Sequence, residues 1–194
     1  MRKSEIKEYF DTRAADWDRT LIKNDQTIQT ILELAGVHSG AHVLDVACGT
    51  GVLIPYYLER KVASVTAVDI SAEMIRLAQS KFPHDAVRFI CGDAEHLTFD
   101  RDFDCVVVYN AFPHFPNPAR LIQRLSAVLK QGGKLTVAHG MSRAEIDRCH
   151  QGSASKVSMG LMHEDTLAGL FEKSLDVCVK LSNDTMYQVT GIKK

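Results

Sequence analysis

A short apolar run that leads straight into a glycine turn constrains the fold of this chain more than any other feature. It consists of His42-Val43-Leu44-Asp45-Val46-Ala47-Cys48-Gly49-Thr50-Gly51. The run predicts a strand over His42–Ala47, and Val52–Arg60 after the turn predicts a helix. Glycines at such a turn leave backbone N–H groups open to a ligand at the helix N-terminus. Because the same unit also serves dinucleotides, the glycines alone do not fix the ligand.

Strand and helix patterns alternate through the rest of the chain. The further predicted strands are Ser64–Ile70, Val87–Cys91, Phe103–Tyr109, Lys134–His139, Asp176–Leu181 and Met186–Ile192. The other predicted helices are Asn24–Ala35, a helix through Gln79 with Ser71 as its N-cap, one starting at Asn117-Pro118, one starting at Ser142, and Glu164–Phe171. The helix that starts at Asn117-Pro118 has an apolar stripe that extends to Leu129, and Gly132 and Gly133 are expected to end it. Repeated strand–helix units predict parallel strands with helices on both faces. The expected fold class is therefore α/β, a doubly wound, seven-stranded, mostly parallel Rossmann-like sheet with an antiparallel C-terminal hairpin.

Charge and cysteine content narrow the class of protein. The 194 residues include 23 Lys and Arg against 24 Asp and Glu, a net charge of −1, whereas surfaces that bind nucleic acid usually carry a basic excess. The five cysteines contain no C-x-x-C pair, which disfavours a disulfide framework or a zinc site. The sequence shows no signal segment and no apolar run of the roughly 18 residues that a membrane span needs. We therefore expect a cytoplasmic protein without a membrane or nucleic-acid partner.

Three acids follow one another at or near the ends of predicted strands. Carboxyl ends of parallel strands form the ligand-binding edge of such sheets. Asp45 could pair with an ammonium group or simply brace the turn. Asp69 could accept hydrogen bonds from ribose hydroxyls, or interact with the dipole of the helix after it, or do both. Asp93 could accept from an exocyclic amine while the next backbone N–H donates to a ring nitrogen, or it could be an ordinary turn acid. Together the acids favour an adenine nucleoside.

The motifs in this order resemble those of class I S-adenosylmethionine-dependent methyltransferases of the small-molecule type, the group similar to the ubiquinone/menaquinone methyltransferases. The matching segments are Val43–Gly51, Val68–Ser71, Gly92–Glu95, Phe103–Asn110 and Leu129–Leu135. The resemblance covers roughly residues 5–140. It implies S-adenosyl-L-methionine as cofactor, S-adenosyl-L-homocysteine as product, and transfer of a methyl group to a small-molecule acceptor.

The resemblance also implies which residues contact the cofactor. They are Tyr9, Trp17, Asp45, Ala47, Gly49, Gly51, Asp69, Ile70, Met74, Asp93, Ala94 and Asn110. The residues of the first turn would hold the methionine part, Asp69 the ribose, and Asp93 the adenine edge, with Asn110 near the sulfonium. Tyr9, Phe10 and Trp17 resemble an aromatic segment that folds over the cofactor; the alternative is an ordinary amphipathic helix packed on the domain.

Two segments are expected to build the acceptor side, Asn110–Pro116 and the region from His139 to about His163. His114 is the candidate base, with a packed or surface histidine as the alternative, and His139 is a weaker catalytic candidate. The chain would form one domain over residues 1–194, with residues 1–36 as an N-terminal helical cap and residues 140–172 as acceptor-side helices and loop.

Several other interpretations stay open at this point. Cys149, His150 and His163 occur near methionines and could serve a soft acceptor or a metal, but their spacing matches no metal pattern and we predict no metal. The segment Gln151–Lys156 could be a lid or an ordinary loop. A nicotinamide-dependent oxidoreductase would need a third glycine where Ile54 stands. A non-catalytic cofactor-binding module is a further alternative, and so is an RNA-modifying enzyme.

Overall fold

Within residues 2–149 and 152–194, which this computed structural model describes, seven strands form one mixed sheet. They are β1 (His42–Val46), β2 (Ser64–Asp69), β3 (Val87–Cys91), β4 (Phe103–Tyr109), β5 (Leu129–His139), β6 (Leu175–Ser182) and β7 (Tyr187–Lys193). Their order in the sheet is β3-β2-β1-β4-β5-β7-β6. The first five are parallel, and β7 lies antiparallel between β5 and β6. The predicted fold class is confirmed.

Helices cover both faces of the sheet. They are α1 (Lys3–Thr20), α2 (Asp25–Leu34), α3 (Ile54–Glu59), α4 (Ala72–Lys81), α5 (Pro118–Ala127), α6 (Arg143–Cys149) and α7 (Glu164–Phe171), with 3-10 turns at Phe112–His114 and Gly152–Val157. Asn24, Ser71 and Asn117 cap α2, α4 and α5 by accepting a hydrogen bond from a backbone N–H three residues on. These caps confirm the helix starts that the sequence predicts.

The sheet separates two apolar cores. Leu44 and Val106 pack on one side with α5 and α7, whereas Val43 and Val107 pack on the other with α2 and α3. Alternate residues of β1 and β4 thus enter opposite cores, as expected for strands buried on both faces. The sheet is fixed from both sides, so its carboxyl edge is a rigid base for a site. Among the described residues, no helix is long and apolar enough to cross a bilayer.

Several predicted bounds differ from the observed ones, most of them by one or two residues, and the structure gives a physical reason for the differences at β1 and β5. β1 ends before Ala47 because that residue has a left-handed backbone with φ of 57°. β5 begins at Leu129 rather than Lys134, and Leu129 pairs with Phe103 instead of extending the helix. A Cβ at Gly133 would lie 2.9 Å from the carbonyl oxygen of Lys130. The glycine therefore permits an irregular stretch inside a strand, where the sequence predicted the end of a helix.

Candidate active site

A cavity lies at the carboxyl ends of four neighbouring strands. Ala47–Thr50 come from the end of β1, Asp69 and Ile70 from β2, Gly92–Ala94 from β3, and Tyr109–Ala111 from β4. Its empty volume is about 930 Å³, including the mouth that opens to solvent. Most of the wall is apolar, with a few convergent polar groups, which is the composition of a small-molecule site.

The glycine turn contributes a bare backbone to this wall. Gly49 lines the cavity with φ of 56°, and a Cβ there would approach the indole Nε1 of Trp17 to 4.0 Å. Gly51 does not line the cavity; its φ is 87°, and a Cβ would lie 2.9 Å from the ring of Phe82. The two glycines therefore differ in role: Gly49 leaves room in the cavity, and Gly51 lets the turn pack on its own core.

Two non-glycine residues of the wall carry a left-handed backbone. Ala47 after β1 has φ of 57°, and Asn110 after β4 has φ of 53°. The Asn110 side chain is fixed, since its Oδ1 accepts a hydrogen bond of 2.9 Å from the N–H of Gly140. Such conformations cost about 1–3 kcal/mol each and concentrate at ligand sites. Both predicted residues line the cavity.

Asp69 connects the turn to the following helix. Its Oδ2 accepts from the N–H of Gly49 at 2.9 Å, and its Oδ1 accepts from the N–H of Ser71 at 2.8 Å. Burial raises the pKa of Asp69 to about 6 despite these hydrogen bonds. Asp69 also lines the cavity. Asp69 therefore both accepts from the backbone at the start of α4 and faces the cavity, while its contact with a ribose stays a prediction.

Asp45 lies behind the wall and does not line the cavity. It is 1% exposed, and on β1 it shares a sheet face with Val43. Its Oδ2 has no hydrogen-bond partner among the residues that the structure describes. Burial, and next the charge of Asp69, raise the pKa of Asp45 to about 8. Burial therefore favours the neutral form of this acid, and a cation bound at the turn would favour its ionisation.

Helix α1 closes the cavity from above. Four of its side chains line the wall, and they are separated by three, four or seven residues, which places them on one face of the helix: Lys3, Ile6, Phe10 and Trp17. The aromatic segment is therefore an amphipathic helix that also covers the cavity, and its contact with the cofactor stays a prediction. Tyr9 is the exception: it lies outside the wall, with the Arg13 guanidinium 3.7 Å from its ring centroid.

The cover is attached to the sheet edge by polar side chains. Asp11 accepts a hydrogen bond of 2.6 Å from the Ser71 hydroxyl. Asp18 accepts from the hydroxyl of Thr50 and pairs with Lys81 at 2.7 Å. These contacts join α1 to the turn after β1 and to α4, the two elements that Asp69 also connects.

The two predicted histidines lie in different places. His114 ends the 3-10 turn after β4 and lines the cavity, where Phe10 meets its ring edge-on at a centroid distance of 5.0 Å. Its Nδ1 lies 2.7 Å from the carbonyl oxygen of Val157. A carbonyl oxygen only accepts, so Nδ1 carries the proton, and in the neutral ring Nε2 is the basic nitrogen. His139 is buried beside Tyr187 and does not line the cavity.

Comparison with known proteins agrees with this geometry. A family model described as a methyltransferase domain matches residues 44–137. The malonyl-acyl-carrier protein O-methyltransferase of Priestia megaterium is 35% identical over 123 residues, which cover 61% of this chain and 44% of that protein. The ubiquinone biosynthesis O-methyltransferase of Coxiella burnetii is 38% identical over 99 residues, covering 50% and 42%. The N-methyltransferase NodS of Bradyrhizobium japonicum, solved with S-adenosyl-L-homocysteine, shares the fold with a TM-score of 0.76 over 96% of this chain and 97% of NodS, at 14% identity.

The matched segment contains the glycine turn and the acids of the cavity wall. Residues 44–137 therefore resemble the domain of S-adenosylmethionine-dependent methyltransferases. It spans less than half the length of the two curated relatives. The carboxyl edge of the sheet fits the cofactor of that family: Gly49 leaves space, Asp69 presents buried acceptor oxygens, and Ile70 and Met74 supply an apolar slot.

Several residues that line the cavity were not predicted from the sequence. Lys3, Ile6 and Leu21 line the cavity, and their spacing with Phe10 and Trp17 was the available signal. Tyr109 also lines it, hidden in the sequence by its position inside a buried strand.

The histidine- and cysteine-containing region forms no comparable site in the part of the chain that the structure describes. The side chain of His163 caps α7 by accepting from the N–H of Asp165, and Cys149 is exposed. His150 and Gln151 lie outside the described residues. No group of three or more potential metal ligands occurs within residues 2–149 and 152–194.

Proposed function

We propose that this methyltransferase transfers a methyl group from S-adenosyl-L-methionine to a small-molecule acceptor. The observation that carries the proposal is a single cavity with two chemically different ends. The strand order places Asp69 and Asp93, after β2 and β3, on one side of the bare turn at Gly49. On its other side, after β4, lies His114 with the ring of Phe10 against it. A nucleoside cofactor and an apolar acceptor could therefore lie side by side within it.

The acidic end would hold the cofactor. Asp69 would accept hydrogen bonds from the ribose hydroxyls, while Asp93 and the N–H of Ala94 would bind the purine edge. Gly49 would admit the methionine tail, and Asp45 behind the turn would ionise in response to the tail's ammonium. When bound, the cofactor supplies an electrophilic methyl group on a positively charged sulfur. The chain's own contribution is alignment and the exclusion of water by α1.

His114 would act as the base on the acceptor side. The hydrogen bond from Nδ1 to the carbonyl oxygen of Val157 fixes the tautomer, so that Nε2 is the basic nitrogen of the neutral ring. A hydroxyl acceptor would give its proton to Nε2 as its oxygen forms the new bond to carbon. The ring then becomes a cation that solvent can deprotonate after product release. A base matters most for such weakly acidic acceptors.

The charge of the wall favours a neutral acceptor. Among the described residues, Lys3 is the only lysine or arginine that lines the cavity, and it is paired with Asp93 and Glu95. A buried carboxylate or phosphate without a cationic partner is costly. The near-zero net charge also supports a small molecule rather than a nucleic acid as acceptor. Five free cysteines fit a reducing compartment such as the cytoplasm.

The pH dependence of ligand binding tests the role of Asp69. Ribose hydroxyls donate to the ionised carboxylate, so bound S-adenosyl-L-homocysteine should lower the pKa of Asp69 below about 6. Binding then releases a proton below that pH. The ionisation of Asp45 on binding adds a separate increase in affinity up to about pH 8. We expect the contribution of Asp69 to raise the affinity with pH up to about pH 6, by at most roughly tenfold per unit, and to add nothing above that pH. Calorimetry from pH 5 to pH 8 measures this, and an Asp69→Asn variant should lose that increase.

Methyl transfer itself is tested with matched acceptors. Purified protein is incubated with methyl-labelled S-adenosyl-L-methionine and either catechol or 3,4-dihydroxybenzoate, which differ by one carboxylate. We expect labelled product from neutral phenols and at least tenfold less from their anionic counterparts. Binding of S-adenosyl-L-homocysteine without transfer to phenols, thiols or amines would instead indicate a non-catalytic binding module.

A further inference from the structure

Lys3 lies at the purine end of the cavity, bound to two acids. Its Nζ is 2.6 Å from Oδ2 of Asp93 and 3.0 Å from Oε1 of Glu95. The Glu95 side chain is 2% exposed, whereas Lys3 is 32% exposed. The first turn of α1 thus places an ammonium group against the carboxylate that is proposed to bind the exocyclic amine of adenine.

The hydrogen-bonding capacity of Asp93 is almost filled. Oδ2 accepts from Lys3 and also from Nδ1 of His96 at 2.6 Å, while Oδ1 accepts from the N–H of Glu95 at 3.1 Å. A carboxylate offers about four lone-pair positions. One position on Oδ1 is left in this arrangement, so an incoming amine must take that position or displace one of the donors on Oδ2.

Of the two donors on Oδ2, Lys3 is the one that can leave. His96 is fixed at both ring nitrogens, because its Nε2 lies 2.6 Å from an amino group of Arg120. Arg120 in turn reaches Oε2 of the buried Glu95 at 3.5 Å. Lys3 has a flexible side chain at the N-terminal end of α1, and Glu95, 3.0 Å away, can keep its ammonium when that group leaves Asp93.

We propose that Lys3 is a specificity-determining residue of the purine subsite, whose ammonium competes with the 6-amino group of adenine for Asp93. This inference rests on the proposed function, which assigns the purine to this end of the cavity. The consequence depends on the purine. An amine at C6 displaces Lys3, whereas a carbonyl at C6 accepts a hydrogen bond from it. Lys3 therefore reduces the protein's preference for adenine over hypoxanthine.

The test compares two ligands that differ at this one group, S-adenosyl-L-homocysteine and S-inosyl-L-homocysteine. Calorimetry measures both with the wild type, with Lys3→Met, and with Lys7→Met as control. Lys7 lies one turn further along α1, pairs with Asp11, and does not line the cavity. We expect Lys3→Met to bind the adenine ligand at least fivefold more tightly and the inosine ligand no more tightly. The ratio of the two affinities should rise at least fivefold, and Lys7→Met should leave it unchanged.

The ratio separates this role from a structural one. If Lys3 only anchors α1, Lys3→Met weakens both ligands equally, and the unchanged ratio overturns the inference while the proposed function stands. If the wild type and Lys3→Met both fail to bind either ligand, the proposed function is wrong and the inference falls with it. Thermal unfolding of each variant verifies that the fold is intact.

Discussion

Replacing Asp69 with alanine is expected to weaken binding of S-adenosyl-L-homocysteine by about 3 kcal/mol, or more than 100-fold. The carboxylate would be lost as acceptor for the ribose. The buried N–H groups of Gly49 and Ser71 would also lose their partner, since both donate to it. We therefore expect the free energy of unfolding to fall by about 2 kcal/mol as well. Calorimetry measures the first effect, and urea denaturation the second.

Ser71→Ala is the matched control for this prediction. Ser71 caps α4 through the N–H of Met74 and donates to Asp11, so its loss loosens the same corner of the protein without removing the acid. We expect stability to fall by about 1 kcal/mol, with a change in affinity below tenfold. If Ser71→Ala weakens binding as much as Asp69→Ala does, Asp69 acts through the fold and does not contact the ribose.

His114→Asn is expected to lower turnover on a hydroxyl acceptor by about 100-fold or more. The asparagine amide can still donate to the carbonyl oxygen of Val157, as Nδ1 of the histidine does. The variant therefore keeps the contact that positions the loop but lacks a basic nitrogen. Affinity for S-adenosyl-L-homocysteine should change by less than twofold. Steady-state kinetics with a neutral phenol, alongside calorimetry, measures both quantities.

The pH profile distinguishes a base from a packing residue at position 114. With the wild type, kcat should fall on the acid side as the imidazole becomes protonated, and in His114→Asn that limb should disappear. Added imidazole should restore part of the lost turnover. Equal rates for the variant and the wild type at neutral pH would exclude His114 as the base. Tyr109 at the end of β4, whose side chain is also titratable and lines the cavity, would then be the next candidate.

The strands and their carboxyl-edge acids were predictable because short-range patterns determine them. The alternation of apolar strands with capped helices fixes a parallel sheet, and a parallel sheet brings Asp69 and Asp93 to one edge whatever the details of packing. The same reasoning could not place Asp45 relative to the wall. Its position depends on which sheet face the side chain takes at the last residues of β1, where Ala47 turns left-handed.

Contacts between distant segments were beyond the sequence patterns. Tyr9 and Phe10 are neighbours of similar character, but only Phe10 lines the cavity, because the helix rotates successive side chains by about 100°. The pairing of Lys3 with Asp93 joins residues 90 positions apart. The predicted start of β5 was wrong for a related reason. Leu129 belongs to the helical apolar stripe in the sequence, but its pairing with Phe103 of β4 places it in the strand.

Trp17 is the only tryptophan of the chain, and its indole nitrogen faces the bare turn at Gly49 across a gap. Its intrinsic fluorescence therefore originates from one place, the junction between cover and sheet. Occupation of that gap, or withdrawal of α1 from it, would change the polarity around a single fluorophore. The protein thus carries its own optical reporter, with which ligand association can be followed in real time without any attached label.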